Sequence, residues 1–409
     1  MPIPVQAPAR SPAPLATKSF ARLFLLAILL AILLATSGWA QRADRGRVRL
    51  PLHTAGRFVV DAAGRRVKLA SVNWYGAEGK DFVVGGLDRQ DLHVIARHIA
   101  ALGFNSVRLP WSNQMLESDP LVPAYALRAN PQLAGQHALA VFDATVQALA
   151  ASGLLVILDN HMSDADWCCN RDDENGFWYN ARYPEARWIA DWQQMARRYA
   201  GQPAVVGADL RNEPRDPAVW GGSDPRLDWH AAAERGGNAV LQANPNLLIM
   251  VEGVHYASDL SGVAALPVHL AVPNHVVYSP HTYGFQLPKN ALAGRAWERH
   301  ITPSWGYLVT GAQPQPIWIG EFGTCNTGPE CLADGPRQVT GSWFHTLMGY
   351  MRRNDVDWCY WALNGTQTTG TGRHFGAVEN YGILTRAWSG TQLPGMMTAL
   401  HAAMSPSAP

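Results

Sequence analysis

"AVVGADLRNEP", residues 204–214, runs from small and β-branched residues into Arg211, Asn212, Glu213 and Pro214. Apolar residues leading into a polar cluster and a proline predict a buried strand that delivers side chains at its own tip. The construction recurs along the chain. "VKLASVNWYG" (67–76), "SVRLPW" (106–111) and "GLLVILDNH" (153–161) precede it. "NLLIMVEGV" (246–254), "HVVYSPHTYG" (275–284), "PIWIGEFGT" (316–324) and "DWCYWALNG" (357–365) follow it. The starts lie roughly 30–50 residues apart, room for one strand, one helix and two loops.

The segments between these runs read as helices. "DRQDLHVIARHIAALG" (88–103) spaces Leu92, Ile95, Ile99 and Leu102 along one helical face, with Gly103 as the stop. "PEARWIADWQQMARRYAG" (184–201) opens on proline and closes on Arg197, Arg198 and Gly201. "DWHAAAERGGNAVLQANP" (228–245) and "QVTGSWFHTLMGYMRRND" (338–355) continue the alternation. Eight such units predict an α/β fold, a single (β/α)8 TIM barrel with long loops after the strands. The alternative is an open doubly wound sheet. It would want a glycine-rich phosphate loop after the first strand, where "VNWYGAEG" places a single glycine, Gly76, at the turn.

Composition narrows the partners. The chain is 47% hydrophobic and 16% charged, with a net charge of +1, which gives no reason to expect nucleic acid. Its 16 tryptophans suggest core packing for about half and stacking on a ligand for the rest. Lys18 and Arg22 precede the apolar run Leu23–Ala35 and the small-residue exit "TSGWAQ". Residues 1–40 therefore read as a secretory signal cleaved near Ala40, with a retained membrane anchor as the alternative. Residues 41–409 are expected to form the barrel domain outside the cytoplasm, in the periplasm or medium, or tethered facing outward. Cysteine use fits that compartment. Cys325 and Cys331, bracketing Gly328 and Pro329, are candidates for a loop-closing disulfide. The adjacent Cys168 and Cys169 are either a vicinal bridge or two thiols, and Cys359 reads as a buried free thiol. Metal-ligand spacing of cysteine with histidine is absent, so zinc is not expected.

In a barrel the reactive face is formed by the strand tips. Here they carry Asn73, Trp74 and Tyr75, then Arg108 and Trp111, Asn160 and His161, Asn212 and Glu213. Glu252 and His255, His281 and Tyr283, Glu321, and Trp361 with Asn364 complete the ring. Carboxylates, amides, imidazoles and aromatic rings gathered on one rim suit cleavage of a polyhydroxylated ligand. Two carboxylates facing each other, Glu213 and Glu321, divide acid–base and nucleophile roles. Arg108 and Tyr283 would keep one of them ionised, and Asn212 would bond a sugar hydroxyl. Glu252 reads as structural, supporting the site from behind. The acidic run Asp164, Asp166, Asp172, Asp173 and Glu174 lacks the regular spacing of a calcium loop and reads as solvated.

The ordered set "SVRLPW", "LDNH", "NEP", "HTYG" and "GEFG" resembles glycoside hydrolase family 5, the cellulase family of clan A barrels, over about residues 50–400. The resemblance implies a retaining mechanism with Glu213 as acid/base and Glu321 as nucleophile. It places Arg108, His161, Asn212, His281, Tyr283 and Trp361 around them. Asn212 would contact a 2-hydroxyl, Arg108 and Tyr283 would hold the nucleophile, and Trp361 would form the floor under a sugar. Trp74 is carried as a further substrate-binding candidate. The expected activity is endo-β-1,4-glucanase, on a β-linked polysaccharide or oligosaccharide, by a monomer without cofactor or metal. Alternatives are the same chemistry on mannan, xyloglucan, β-1,3/1,6-glucan or a glycolipid glycan, or a barrel that binds carbohydrate without cleaving it. The chain departs from the family pattern in the glycine- and threonine-rich loop after Trp361 and in the long segment "MSDADWCCNRDDENGFWYN".

Overall fold

The computed structural model describes residues 1, 2, 4, 48–169, 173–335 and 339–406. The apolar run Leu23–Ala35 and the exit at Ala40 lie outside the described residues. Among the described residues no helix is long and apolar enough to cross a membrane. Leu50–Pro409 forms one compact unit.

Eight strands are laid side by side in chain order: β1 (Ala70–Asn73), β2 (Ser106–Ser112), β3 (Leu155–Met162), β4 (Val205–Asp209), β5 (Leu248–Glu252), β6 (Val276–Ser279), β7 (Trp318–Phe322) and β8 (Asp357–Tyr360). Every pair is parallel, and β8 returns to pair with β1. Parallel bridges Tyr278–Ile317 and His281–Glu321 join β6 to β7, so the ring closes. The fold is the (β/α)8 barrel that the repeated strand–helix pattern predicts.

Residue alternation sorts the apolar side chains into two layers. Leu248 and Met250 of β5 point into an inner cluster with Ile157, Val206, Val277, Trp318 and Cys359. Ile249 and Val251 point outward into the layer beneath the helices. Leu52 and Val59, from a short antiparallel hairpin before β1, join the inner cluster at the strand starts. Glu252, two residues beyond Met250, therefore faces the lumen at the opposite end.

The outer layer is made of α1 (Leu92–Ala101), α2 (Ala138–Ala151), α3 (Glu185–Arg198), α4 (Trp229–Ala243), α5 (Gly294–Ile301), α6 (Val339–Asn354) and α7 (Pro394–His401). Asp91 caps α1 by accepting from the His93 and Val94 N–H groups, and Gly103 follows its end at φ +92°. Between β5 and β6 the connection is a 3₁₀ turn, Ser261–Ala264, in place of a helix.

Among the described residues twelve tryptophans are fully buried, so packing takes a larger share than the composition suggests. Several also pin strand ends. The indole N–H groups of Trp188 and Trp192, on α3, both donate to the Leu210 carbonyl at 3.2 and 2.9 Å. Trp229, on α4, donates to the Glu252 carbonyl at 2.7 Å. The carbonyls just past β4 and at the end of β5 are thus anchored by the helix layer rather than by neighbouring strands.

Candidate active site

A cleft of about 480 Å³ opens over the strand tips, lined among others by His161, Asn212, Glu213, Tyr283, Glu321 and Trp361. One carboxylate oxygen of Glu213, one of Glu321 and a ring nitrogen of His281 all lie within 4.8 Å of one another. The two glutamates have different surroundings. Glu321 is held by Arg108, whose Nη1 donates to Oε1 at 2.7 Å, and by the Tyr283 hydroxyl, which donates to Oε2 at 2.8 Å. Glu213 faces His281, with Nδ1 at 3.0 Å from Oε1. Its backbone sits at φ +47°, in the left-handed region that a non-glycine residue rarely adopts.

Arg108 is the hub beneath the cleft. It rises from β2 into the lumen with no exposed surface, and all five of its N–H donors have acceptors. Nε donates to Asp209, Nη1 to Asn73 and Glu321, Nη2 to Asn212 and Glu252. Asp159 Oδ1, 3.1 Å from Nη2, is left without a hydrogen bond because no donor remains. One oxygen each of Asp159, Asp209 and Glu252 lies within 4.8 Å of the others, a convergence that could suit a cation, but the guanidinium already sits among them.

Burial raises the carboxyls that surround Arg108. It pushes Asp159 up to about 7, Asp209 up to about 6 and Glu252 up to about 7, each opposed by positive neighbours that include Arg108. Glu321 is also raised by burial, and the charges of His281 and Arg108 pull against that rise. For His281 burial favours the neutral ring, yet Glu252, Glu321 and Glu213 overcome it and hold the imidazole well above the ordinary histidine value. His161 goes the other way. Burial and the nearby Arg108 charge push it down to about 3, and its Nδ1 meets Asp159 at 2.6 Å. Two histidines on the same rim thus carry different charge at neutral pH.

The amide of Asn212 is oriented by the same hub. Because Oδ1 accepts from Arg108, Nδ2 points into the cleft, where its neighbours are the weakly accepting sulfurs of Cys168 and Cys169 at 3.4 and 3.7 Å. Those two cysteines are bonded to each other, Cys325 is bonded to Cys331, and Cys359 is a buried free thiol.

The chain matches the cellulase family model, glycosyl hydrolase family 5, over residues 60–367. It belongs to glycosyl hydrolase family 5. An endoglucanase of Paenibacillus polymyxa is 34% identical over 344 residues, covering 79% of this chain and 82% of that enzyme. The major extracellular endoglucanase of Xanthomonas campestris pv. campestris is 32% identical over 332 residues, 75% of this chain and 64% of its own length. Among solved structures, an endocellulase from Pyrococcus horikoshii in complex with cellotetraose superposes with a TM-score of 0.73 at 26% identity, over 88% of this chain and 100% of that one.

Within this glycoside hydrolase the structure brings together eight of the nine side chains singled out from the sequence. Glu213, Glu321, His161, Asn212, Tyr283 and Trp361 line the cleft, while Arg108 and His281 touch the glutamates from behind. Trp74 is the exception and is corrected. It is fully buried in the outer layer, with its indole N–H donating to the Gly85 carbonyl at 3.0 Å, so it cannot stack on a ligand. Among the described residues the acidic run after β3 does not converge. Asp164 pairs with Arg182, Asp166 with Lys80 and Asp173 with Arg215, while Asp172 lies outside the described residues. Sequence reading did not name Asp159 or Asp209. It also missed Arg373 and Glu379, an ion pair on the loop after β8 that borders the cleft, with the guanidinium 3.8 Å over Trp167.

Proposed function

We propose that the protein is an endo-β-1,4-glucanase that cleaves internal bonds with retention of configuration. The observation that carries this reading is the approach of Glu213 and Glu321 to within 4.8 Å. Carboxyl groups about 5–5.5 Å apart suit a double displacement, whereas inverting pairs stand about 6.5–9.5 Å apart to admit a water. The unequal surroundings support unequal roles. Glu321, fixed by Arg108 and Tyr283, attacks the anomeric carbon; Glu213 delivers a proton to the departing oxygen and then takes one from the incoming water. Asn212 Nδ2 is oriented to donate to a sugar hydroxyl, and Trp361 lines the cleft as an aromatic contact for the sugar. The activities of the Paenibacillus and Pyrococcus relatives support a β-1,4-glucan as substrate. Export fits the signal-like segment at residues 1–40 and two disulfides in a chain with five cysteines.

A panel of soluble cellulose derivative, mannan, xyloglucan and mixed β-1,3/1,6-glucan, read by reducing ends and viscosity, tests the specificity. The expected result is at least about tenfold preference for the cellulose derivative, with viscosity falling early as internal bonds break. Preference for another glycan of the panel would keep the mechanism and change the substrate. Binding without hydrolysis of any member would make the chain a lectin-like barrel.

The donor set on Glu321 gives a pH test. Tyr283 carries a phenol raised well above its ordinary value by burial and by the Glu321 charge, so it stays a donor across the working range. Tyr283→Phe removes one hydrogen bond from the ionised nucleophile, and the Glu321 pKa must rise. The acid limb of kcat/KM should move to higher pH by roughly one to two units, since a bond to a charged group contributes about 1.5–3 kcal/mol. An unmoved acid limb would show that Tyr283 does not stabilise the ionised form.

A further inference from the structure

Glu252 ends β5, is fully buried, and does not line the cleft, yet its two oxygens reach both halves of the reacting pair. Oε1 accepts from Arg108 Nη2 at 2.9 Å and lies 3.3 Å from His281 Nε2. Oε2 accepts the backbone N–H of Glu213 at 2.7 Å. That last bond answers a structural need. β4 ends at Asp209, and Glu213 takes a left-handed backbone that turns its N–H away from the strand ladder, so the group has to find a partner elsewhere. Glu252 therefore holds the Glu213 main chain directly and acts on its carboxylate by charge alone through His281, whose Nε2 makes no hydrogen bond to Glu252 and whose Nδ1 is 3.0 Å from Glu213 Oε1.

The connection to Glu321 is weaker. It runs through Arg108, which keeps Asp209, Asn73, Asn212 and Glu321 as acceptors without Glu252. It also runs through His281, whose Nδ1 stands 3.8 Å from Glu321 Oε2, outside hydrogen-bond reach, while the Tyr283 hydroxyl holds that oxygen at 2.8 Å. The Asp159 oxygen 3.1 Å from Nη2 stands ready to take the freed donor. We propose that Glu252 is a positioning residue for the proton-donating step: it aims the Glu213 carboxyl at the departing oxygen, while Glu321 is held without it. The inference rests on Glu213 being the acid/base.

The test uses the full chain and aryl β-cellobiosides whose departing phenols differ in acidity. A dinitrophenolate leaves without a proton, whereas phenol needs one. Because kcat/KM reports formation of the glycosyl-enzyme, it isolates the step in which Glu213 acts as an acid. Glu252→Gln should lower kcat/KM by about 10²-fold on the phenyl substrate and by no more than about threefold on the dinitrophenyl one, within the range general acid catalysis supplies. Equal losses on both, or no loss on either, would overturn the proposal. Glu252→Asp keeps the charge with a shorter reach and should recover at least part of the phenyl rate. Should the glutamine variant not fold, the aspartate variant is compared with the parent, and an unchanged ratio between the two substrates overturns the proposal just as well. Glu213→Ala serves as the control, with a loss on phenyl far exceeding that on dinitrophenyl. Equal losses in Glu213→Ala would overturn the acid/base reading and this inference with it. The selective pattern in Glu213→Ala but not in either Glu252 variant would overturn the Glu252 proposal alone.

Discussion

Glu321→Gln is expected to lower kcat/KM on soluble cellulose by on the order of 10⁴-fold or more with the barrel intact. An amide cannot form the glycosyl ester, and neighbouring groups do not substitute for it. Glu213, within 4.8 Å, is engaged by His281, whose Nδ1 is 3.0 Å from its Oε1. The fold should tolerate the change, because Arg108 retains Asp209, Glu252, Asn73 and Asn212 as acceptors. Circular dichroism and the melting temperature check the second half of the expectation, steady-state rates the first. A folded variant with activity within tenfold of the parent would remove Glu321 from the nucleophile's role.

The second large effect is on stability. Arg108→Met leaves Asp159, Asp209, Glu252 and Glu321 around a side chain with no charge and no donors. Removing one partner from a buried ion cluster costs about 3–5 kcal/mol, which for a domain of this size lowers the melting temperature by about 5 °C or more. The loss must depend on pH, and its sign follows from the carboxyls. Asp159 and Glu252, pushed up to about 7, and Asp209, up to about 6, already titrate above unfolded values near 4. A carboxyl raised on folding contributes stability that is fully present below its unfolded pKa and is lost as pH rises through the folded one. Without the guanidinium those folded values rise further. The difference from the parent should therefore be small near pH 4 and clearly larger at about pH 8, still growing as pH rises toward the variant's higher folded values. Denaturation at both pH values measures it, and a deficit that is constant or larger in acid would show that the arginine does not compensate these charges.

The same cluster shows where sequence reading reaches and where it stops. The barrel was legible because each β-branched run ends at its own polar tip, and Glu213, Glu321, Asn212, Tyr283 and Trp361 stand at or just beyond such tips. Trp74 was misread for the same reason. It follows β1 at a tip, but its side chain turns outward beneath the helices, and a tip position does not fix which way a side chain faces. Asp159 and Asp209 were overlooked because they sit inside the runs "LLVILDNH" and "VVGADL", one residue before Asn160 and two before Arg211, the groups that drew attention. Their signal was present: an ionisable side chain within an apolar barrel strand has to meet a buried partner, and "SVRLPW" offers one in Arg108. Arg373, Glu379 and Trp167 left no such signal. They lie on the long loops after β8 and β3, whose paths depend on tertiary contacts that no periodicity encodes.

The most direct test of the two-glutamate account is the anomeric configuration of the first product, followed by proton NMR during hydrolysis of a soluble cello-oligosaccharide before mutarotation sets in. Two displacements, by Glu321 and then by water activated at Glu213, predict that the β-anomer appears first. Initial release of the α-anomer would mean a single displacement by water, and the roles derived for Glu213 and Glu321 would be contradicted.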